Sequence, residues 1–245
     1  MKRSALIMLI GWLPGLVFAQ AEPSVLGIAT EAVQGQSYTL SIQILVMMTL
    51  LTLLPAAILS TSAFVRIIIV LSILRQAMGT AQTPPNQVLL GLALFLTFFV
   101  MSPVVDTAYE DAVKPYMAGE LSMDDAIQAG VKPLRSFMIN QTRASDFELF
   151  ANIAQRTDLQ SPEQAPLSLI IPSFMISELK TAFQIGFLIF IPFLVIDLVV
   201  SSVLMSMGMM MLSPMLISLP FKIMLFVLVD GWALVLGTLV GSFYT

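Results

Sequence analysis

The stretch SELKTAFQIGFLIFIPFLVIDLVVSSVLMSMGMMML, Ser177 to Leu212, decides the fold class because it is almost continuously apolar. A long apolar run with few charges is typical of a membrane-spanning or membrane-derived helix. The whole chain agrees, since 58% of its 245 residues are hydrophobic and 11% are charged, whereas a soluble domain carries about 25% charged residues. We therefore predict an all-α, polytopic protein of hydrophobic helical hairpins.

The composition also excludes several classes of chemistry. The chain has no cysteine and no histidine, so a disulfide framework, thiolate catalysis, histidine catalysis and a histidine-based zinc site are all excluded. Its net charge is −4 without a basic patch, which argues against a nucleic-acid partner. No phosphate-binding G-x-x-x-x-G-K-[ST] loop occurs. We expect a protein that is not an enzyme and that needs no cofactor or metal.

The N-terminus has the pattern of a secretory signal peptide. Lys2 and Arg3 precede a short apolar run that ends in small residues before a polar segment. This pattern predicts a cleavable signal over residues 1–19, with cleavage after Ala19, and an uncleaved anchor is the alternative. The polar residues 20–37 are then an exported N-terminal tail.

Residues 38–105 are predicted to form hydrophobic helical hairpins. As one helix, Tyr38 to Met78 would be about 60 Å long, whereas the hydrocarbon core of a bilayer is about 30 Å thick. The segment must fold back or continue outside the lipid. Pro55 and the patch Ser60–Thr61–Ser62 offer the bend.

Residues 106–166 are predicted to form a small polar helical domain on the periplasmic side, with a flexible acidic loop as the alternative. Ser122 stands as a helix N-cap before acidic residues, Gly130 suits the end of that helix, and Pro133 suits a first helical position. Ser145 begins a sequence typical of a capping box. The periplasmic orientation follows from cleavage of the signal and from the positive-inside tendency.

Residues 167–245 are predicted to form hydrophobic helices that prolines break or kink. Pro172, Pro192, Pro214 and Pro220 interrupt them, and a proline inside a helix removes a backbone hydrogen bond. Neighbouring helices or water must satisfy the freed groups.

Six charged side chains stand in these apolar surroundings. A charge at mid-bilayer costs about 2.5–3.5 kcal/mol, so such groups usually face protein and find partners. Glu178 and Lys180 are two positions apart and point to different sides of a helix, which argues against a mutual pair. We expect contacts between helices or between subunits, and snorkelling at the membrane interface is the alternative. The six residues are Arg66, Glu178, Lys180, Asp197, Lys222 and Asp230.

The segment MSMGMMML, residues 205–212, concentrates methionine beside Gly208 and shortly before Pro214. Methionine is flexible and fills irregular gaps, and its thioether also suits Cu(I). The residues alone leave three interpretations open: a copper site, a soft packing core and a deformable seal. Copper sites often add cysteine or histidine, and this chain has neither.

Long motifs resemble one known family. They are AFVRIIIVLSILR (63–75), TPPNQVLLGLALFLTFFVMSPV (83–104), LPFKIMLFVLVDGWALV (219–235) and the opening stretch. They resemble the FliP/SctR family of type III secretion export-gate subunits, from about Leu40 onward. The resemblance implies a bacterial inner-membrane protein of the flagellar basal body. It also implies that several copies assemble with FliQ and FliR, in contact with membrane lipid and other export components, into a ring-like helical gate. Unfolded rod, hook and filament proteins pass through its narrow pore, and a separate ATPase and the proton motive force supply the energy.

The resemblance favours the seal among the three interpretations. It implies that Met209, Met210 and Met211, with Met207 beside them, line the constriction as a gasket. Gly208 then gives the loop backbone freedom and Pro214 ends it. Two functional alternatives remain: a small-solute or ion transporter that uses the intramembrane carboxylates, and a structural anchor in which leucine could replace the methionines.

Overall fold

The structure, a computed structural model, describes the backbone of residues 37–80, 83–156, 161–209 and 212–244, and side chains from Ile42 onward. The predicted signal peptide and almost all of the predicted tail lie outside the described residues, as do Met210 and Met211. Within the described residues every regular element is a helix and none is a strand. The predicted all-α class is therefore confirmed.

The chain divides into two compact units, residues 1–53 and residues 54–245. The first unit contributes the described beginning of helix α1, and the other described elements belong to the second unit. The elements are α1 (Ser37–Ser60), α2 (Phe64–Ala77), α3 (Asn86–Ala108), a π-helical turn (Tyr109–Val113), α4 (Lys114–Met117), α5 (Met123–Gln141), α6 (Ala144–Ile153), a 3₁₀ turn (Pro162–Gln164), α7 (Leu167–Ser206), α8 (Pro214–Leu228) and α9 (Gly231–Gly241).

Three described helices are long and apolar enough to span a membrane: Ile42–Ser60, Asn86–Met117 and Leu167–Ser206. The pair α8 and α9, bent by 66°, forms a fourth candidate if it counts as one broken span. Helix α7 has 40 residues and is therefore about 60 Å long at 1.5 Å per residue, roughly twice the hydrocarbon thickness. A simple lipid-facing span does not account for its whole length.

Helix α2 is the centre of the second unit, and it packs against α3 and α7. Ile67, Val70, Leu71 and Leu74 are buried at helical spacing on its core face. The approach of α7 is close, because a Cβ atom on Gly186 would lie 2.4 Å from Cδ1 of Ile73. Glycine at this position therefore sets the separation of the two helices.

The polar region packs on the first part of α7 through a core of its own. Met138 of α5 and Phe147 of α6 are buried together with Leu169, Ile170 and Phe174 of α7. This burial holds α5 and α6 against α7.

Of the four local predictions of helix ends in the polar region, one agrees with the structure and three differ from it. Ser122 does cap α5, since its Oγ accepts a hydrogen bond from the Asp125 N–H at 3.2 Å. Gly130 and Pro133, however, lie inside α5. A Cβ atom built on Gly130 would lie 3.4 Å from the Cβ of Ala112, so the absence of a side chain there leaves room for Ala112. The predicted end and restart of the helix there are wrong, because packing outweighs the local preference.

The predicted capping box is also wrong. Helix α6 begins at Ala144 with Arg143 as N-cap and without a side-chain cap, so Ser145 lies inside the helix. The reason is that the neighbouring Asp146 is directed towards α7, where Ser177 and Lys180 bind it.

The two prolines within the first helix of residues 167–245 do not break it. Helix α7 is continuous through Pro172 and Pro192, so neither proline breaks it, and the kink that was the other predicted outcome stays a prediction. Pro214, in contrast, stands in the first turn of α8, where its missing N–H costs nothing. Of the two predicted bend sites in the first block, Pro55 lies within α1, and the helix ends at the Ser/Thr patch.

Candidate functional site

Arg66, in the first turn of α2, lies in a buried ion pair with Glu178 of α7. Its Nε donates to Oε2 of Glu178 at 2.8 Å, and its Nη2 donates to Oε1 of the same carboxylate. The side chains are 2% and 0% exposed. This two-point geometry is the strongest form of a guanidinium–carboxylate contact.

The remaining donors of Arg66 bind two further elements. Nη1 donates to the backbone O and to Oγ of Ser242 at 3.0 Å each, and Nη2 donates to Oε1 of Gln141 at 2.9 Å. The Phe243 ring covers the guanidinium, with its centroid 3.9 Å from Cζ. All five N–H donors of the guanidinium are therefore bound. Arg66 thus joins α2, α5, α7 and the residues after α9.

A second pair joins α7, α8 and the end of α2. Lys222 Nζ donates to Oδ2 of Asp197 at 2.6 Å and to the backbone O of Ala77 at 3.1 Å. Ser218 Oγ donates to the other oxygen of Asp197 at 2.6 Å. The ammonium group thus lies at the C-terminus of α2, where a positive charge is favourable.

A third pair fastens the polar region to α7. Lys180 donates to Asp146, which also accepts a hydrogen bond from Ser177 Oγ at 2.8 Å. Burial by itself would raise the pKa of Asp146. The hydrogen bonds from Lys180 and Ser177, together with the charges of Lys180 and Arg143, outweigh it and lower that pKa below its ordinary value.

The structure therefore pairs five of the six charges predicted to make contacts. Glu178 and Lys180 bind different partners, as their spacing requires. Three of the six are not buried: the Lys180 side chain is half exposed, the Asp197 side chain is 30% exposed, and Asp230 is exposed. Asp230 adopts a left-handed backbone conformation with φ +49° before α9, and its side chain makes no hydrogen bond or ion pair to the described residues.

The methionine turn, residues 205–212, connects α7 to α8. Helix α7 ends in a Schellman motif. The N–H of Met209 donates to the carbonyl oxygen of Leu204 at 3.0 Å, and the N–H of Gly208 donates to the carbonyl oxygen of Met205 at 3.1 Å. Gly208 has φ +73°, a conformation that favours glycine. Gly208 thus closes the end of α7, and its predicted role in giving the loop backbone freedom stays a prediction. Of the predicted gasket, Met207 and Met209 lie in the described part of the turn.

Both flanks of the methionine turn are apolar and exposed. Met205 and Met207 are 62% and 65% exposed. The surfaces of α7 and α8 next to the turn expose further large side chains, which in water would be an association hazard. The exposed residues nearest the turn are Leu198, Val199, Val203, Leu212, Met215 and Leu216. Lipid or other protein chains must cover these apolar flanks of α7 and α8.

Sequence reasoning missed the polar partners of the charges. Gln141, Ser218, Ser242 and Asp146 complete the three networks, yet none of them is a charge in an apolar run. Asp146 lies within the sequence that was interpreted as a capping box. No local pattern marks the others.

Comparison with known proteins gives a consistent result. Residues 47–239 match the FliP family. Three curated relatives bear the name flagellar biosynthetic protein FliP. That of Pectobacterium carotovorum subsp. carotovorum is 59% identical over 221 residues, which cover 89% of this chain and 86% of the relative. That of Bacillus subtilis (strain 168) is 51% identical over 203 residues, 83% and 92% of the two chains. That of Aquifex aeolicus (strain VF5) is 44% identical over 245 residues, 99% and 100% of the two chains.

Proposed function

This chain belongs to the FliP family, and on that basis we propose that it is a pore-forming subunit of the flagellar type III protein export gate. In this proposal several copies assemble with FliQ and FliR in the bacterial inner membrane, within the flagellar basal body. The polar region, residues 106–166, faces the periplasm. The assembly passes unfolded rod, hook and filament proteins, and the subunit itself catalyses no reaction.

The observation that carries the proposal is the methionine turn. It places exposed thioethers, including Met205 and Met207, at the end of an apolar hairpin that the Schellman motif fixes. A ring of such turns would form a narrow apolar constriction, which excludes water and ions by dewetting. Flexible methionine side chains would repack around a passing polypeptide of any sequence.

The length and the apolar flanks of α7 support assembly in several copies. The helix is about twice as long as a bilayer is thick, and its most apolar part is mostly unburied within the chain. Neighbouring subunits would cover the part that lipid does not reach. The three ion-paired networks hold α2, α5, α6, α7 and α8 together as the frame from which the hairpin extends.

The ion-pair geometry favours the gate over the alternative of a small-solute or ion transporter. A proton relay needs carboxylates that can release and accept protons along a path. Glu178 is held by Arg66 at two points, and Asp197 is held by Lys222 and Ser218. Neither offers a free carboxylate. Asp230, the third carboxylate of the predicted set, is exposed and its side chain has no bond to the described residues, but a single carboxylate does not make a path. A transporter would also conduct as a purified single protein, whereas a gate subunit would not conduct without its partners.

The test is to change Met207, Met209, Met210 and Met211 together to alanine and to measure ion leak and flagellin export in cells. The matched control changes Met117 and Met123, two exposed methionines of the polar region, to alanine. We expect leak only in the first variant, with export retained or partly reduced. Tight membranes and normal export in the first variant would refute the gasket, and the constriction would then lie in a partner subunit.

A further inference from the structure

The described methionines range from buried to largely exposed, and those of the methionine turn are among the exposed ones, as are Met47, Met48, Met117, Met123, Met215 and Met224. Met205 and Met207 of the methionine turn are 62% and 65% exposed, whereas Met78, Met101 and Met138 are 7%, 8% and 1% exposed. Oxidation of a thioether requires access of the oxidant to sulfur. The turn therefore offers reactive sulfur that the helical core does not.

The absence of cysteine and histidine sharpens this difference. In most proteins cysteine thiolates intercept peroxides first. Here the thioether is the only sulfur group in the chain, and 17 methionines carry it. Any two-electron oxidation of sulfur must occur at methionine.

We propose that Met205 and Met207 are a site of reversible oxidation to methionine sulfoxide by peroxides, and that this modification opens the seal to ions. In the reaction the sulfur lone pair attacks one peroxide oxygen and the O–O bond breaks. The sulfur gains that oxygen and is oxidised by two electrons. The peroxide is reduced to water, and its second oxygen leaves in that water molecule.

The physical consequence follows from the polarity of the product. A sulfoxide oxygen is a strong hydrogen-bond acceptor, so oxidation converts a flexible apolar side chain into a polar one. Beside the exposed apolar residues Val203 and Leu212, such a group would hold water where a dry constriction is needed. Methionine sulfoxide reductases restore the thioether. This consequence rests on the proposed function, whereas the oxidation itself does not.

The first measurement is the rate of sulfoxide formation in the assembled, membrane-embedded complex treated with hydrogen peroxide, followed by peptide mass spectrometry. Met117 and Met123 are water-exposed references in the polar region, and Met138 is a buried reference. We expect Met205 and Met207 to oxidise about tenfold faster than Met138 and at rates similar to those of the exposed references. Protection of both residues to the level of Met138 would overturn the proposal.

The second measurement is ion leak before and after peroxide treatment, compared within each strain. Leucine is similar in volume to methionine and has no sulfur to oxidise. We expect peroxide to induce leak in the unmodified strain and in a Met117→Leu/Met123→Leu control, but not in Met205→Leu/Met207→Leu. Equal peroxide-induced leak in all three strains would overturn the proposal.

The two proposals fail separately. If the alanine variant of the gasket stays tight, the proposed function fails, whatever the sulfoxide rates are. If the alanine variant leaks but Met205 and Met207 resist peroxide, the gasket stands and the oxidation site is refuted.

Discussion

Arg66 and Glu178, 112 positions apart in the chain, form a two-point ion pair with Nε and Oε2 2.8 Å apart in the buried core. The pair joins the first turn of α2 to α7 and fixes the position of one helix along the other. Taking two charges out of water is costly, so such a pair contributes little net stability against an apolar substitute. Removing one partner is a different matter, because it leaves the other charge buried and uncompensated.

We therefore expect Glu178→Gln to destabilise the protein by about 3–5 kcal/mol. The guanidinium of Arg66 would keep its bonds to Gln141 and Ser242 but would lose its only counter-charge within the described residues. Denaturant unfolding in detergent measures the change. The matched control is Glu110→Gln, which removes the exposed pair between Glu110 and Lys114 and should leave the unfolding midpoint unchanged. Equal midpoints for both variants would contradict this account.

The pair between Lys222 and Asp197 predicts an asymmetric response. Lys222 is 2% exposed and Asp197 is 30% exposed. Lys222→Met leaves a carboxylate that water can reach and that Ser218 still binds, so we expect a loss of about 1 kcal/mol. Asp197→Asn leaves a buried ammonium beside the Ala77 carbonyl, so we expect a loss of about 3 kcal/mol. The free energies of unfolding of both single variants and of the double variant, compared in a double-mutant cycle, measure the coupling between the two residues. A larger loss of stability for Lys222→Met than for Asp197→Asn would show that water does not solvate Asp197.

The class of fold could be predicted from the sequence because it depends on properties of long segments and not on the contacts of single residues. The apolar content and the long apolar runs are enough to predict an all-helical membrane protein. The spacing of Glu178 and Lys180 is enough to separate their partners, since side chains two positions apart diverge on a helix. These inferences need no knowledge of which helices meet.

The helix ends and the identity of the partners could not be predicted in the same way. Pro172 lies beside residues that α5 and α6 cover, and this packing keeps α7 continuous where local preference predicts a break. Gly130 ends no helix, because it lies where α5 approaches Ala112. The partner of Arg66 comes from a distant segment, and helical periodicity defines a face without saying what packs on it.

The close approach of α2 and α7 predicts that Gly186 tolerates no side chain. An ideal Cβ there would lie 2.4 Å from Cδ1 of Ile73, so Gly186→Ala must displace Ile73 or separate the helices. We expect a loss of about 1–3 kcal/mol from overpacking. Gly237→Ala in α9 is the control, since no atom lies within 4 Å of its ideal Cβ, and higher helix propensity should stabilise it by up to about 1 kcal/mol. Thermal unfolding compares the two. A shorter side chain at Ile73 should partly rescue Gly186→Ala, and no rescue would place the strain elsewhere.

The network at Asp146 predicts that the attachment of α6 to α7 weakens in acid. The pKa of Asp146 lies below its ordinary value of 3.8, so the folded state favours the charged carboxylate. The resulting stability is fully present well above pH 3.8 and is lost as the pH falls through the lowered pKa of the folded protein. Protonation then removes the ionic partner of Lys180 and leaves a neutral acid in a buried site.

Hydrogen exchange of the α6 amides, measured in detergent from neutral pH down to acid, tests this attachment. After correction for intrinsic exchange, we expect protection in the unmodified protein to fall with pH. In Asp146→Asn protection should be lower at neutral pH and should change little with acid, because the titrating group is gone. Glu148→Gln, on the exposed side of the same helix, should keep the acid dependence of the unmodified protein. If Asp146→Asn keeps that dependence too, another carboxylate controls the attachment of α6.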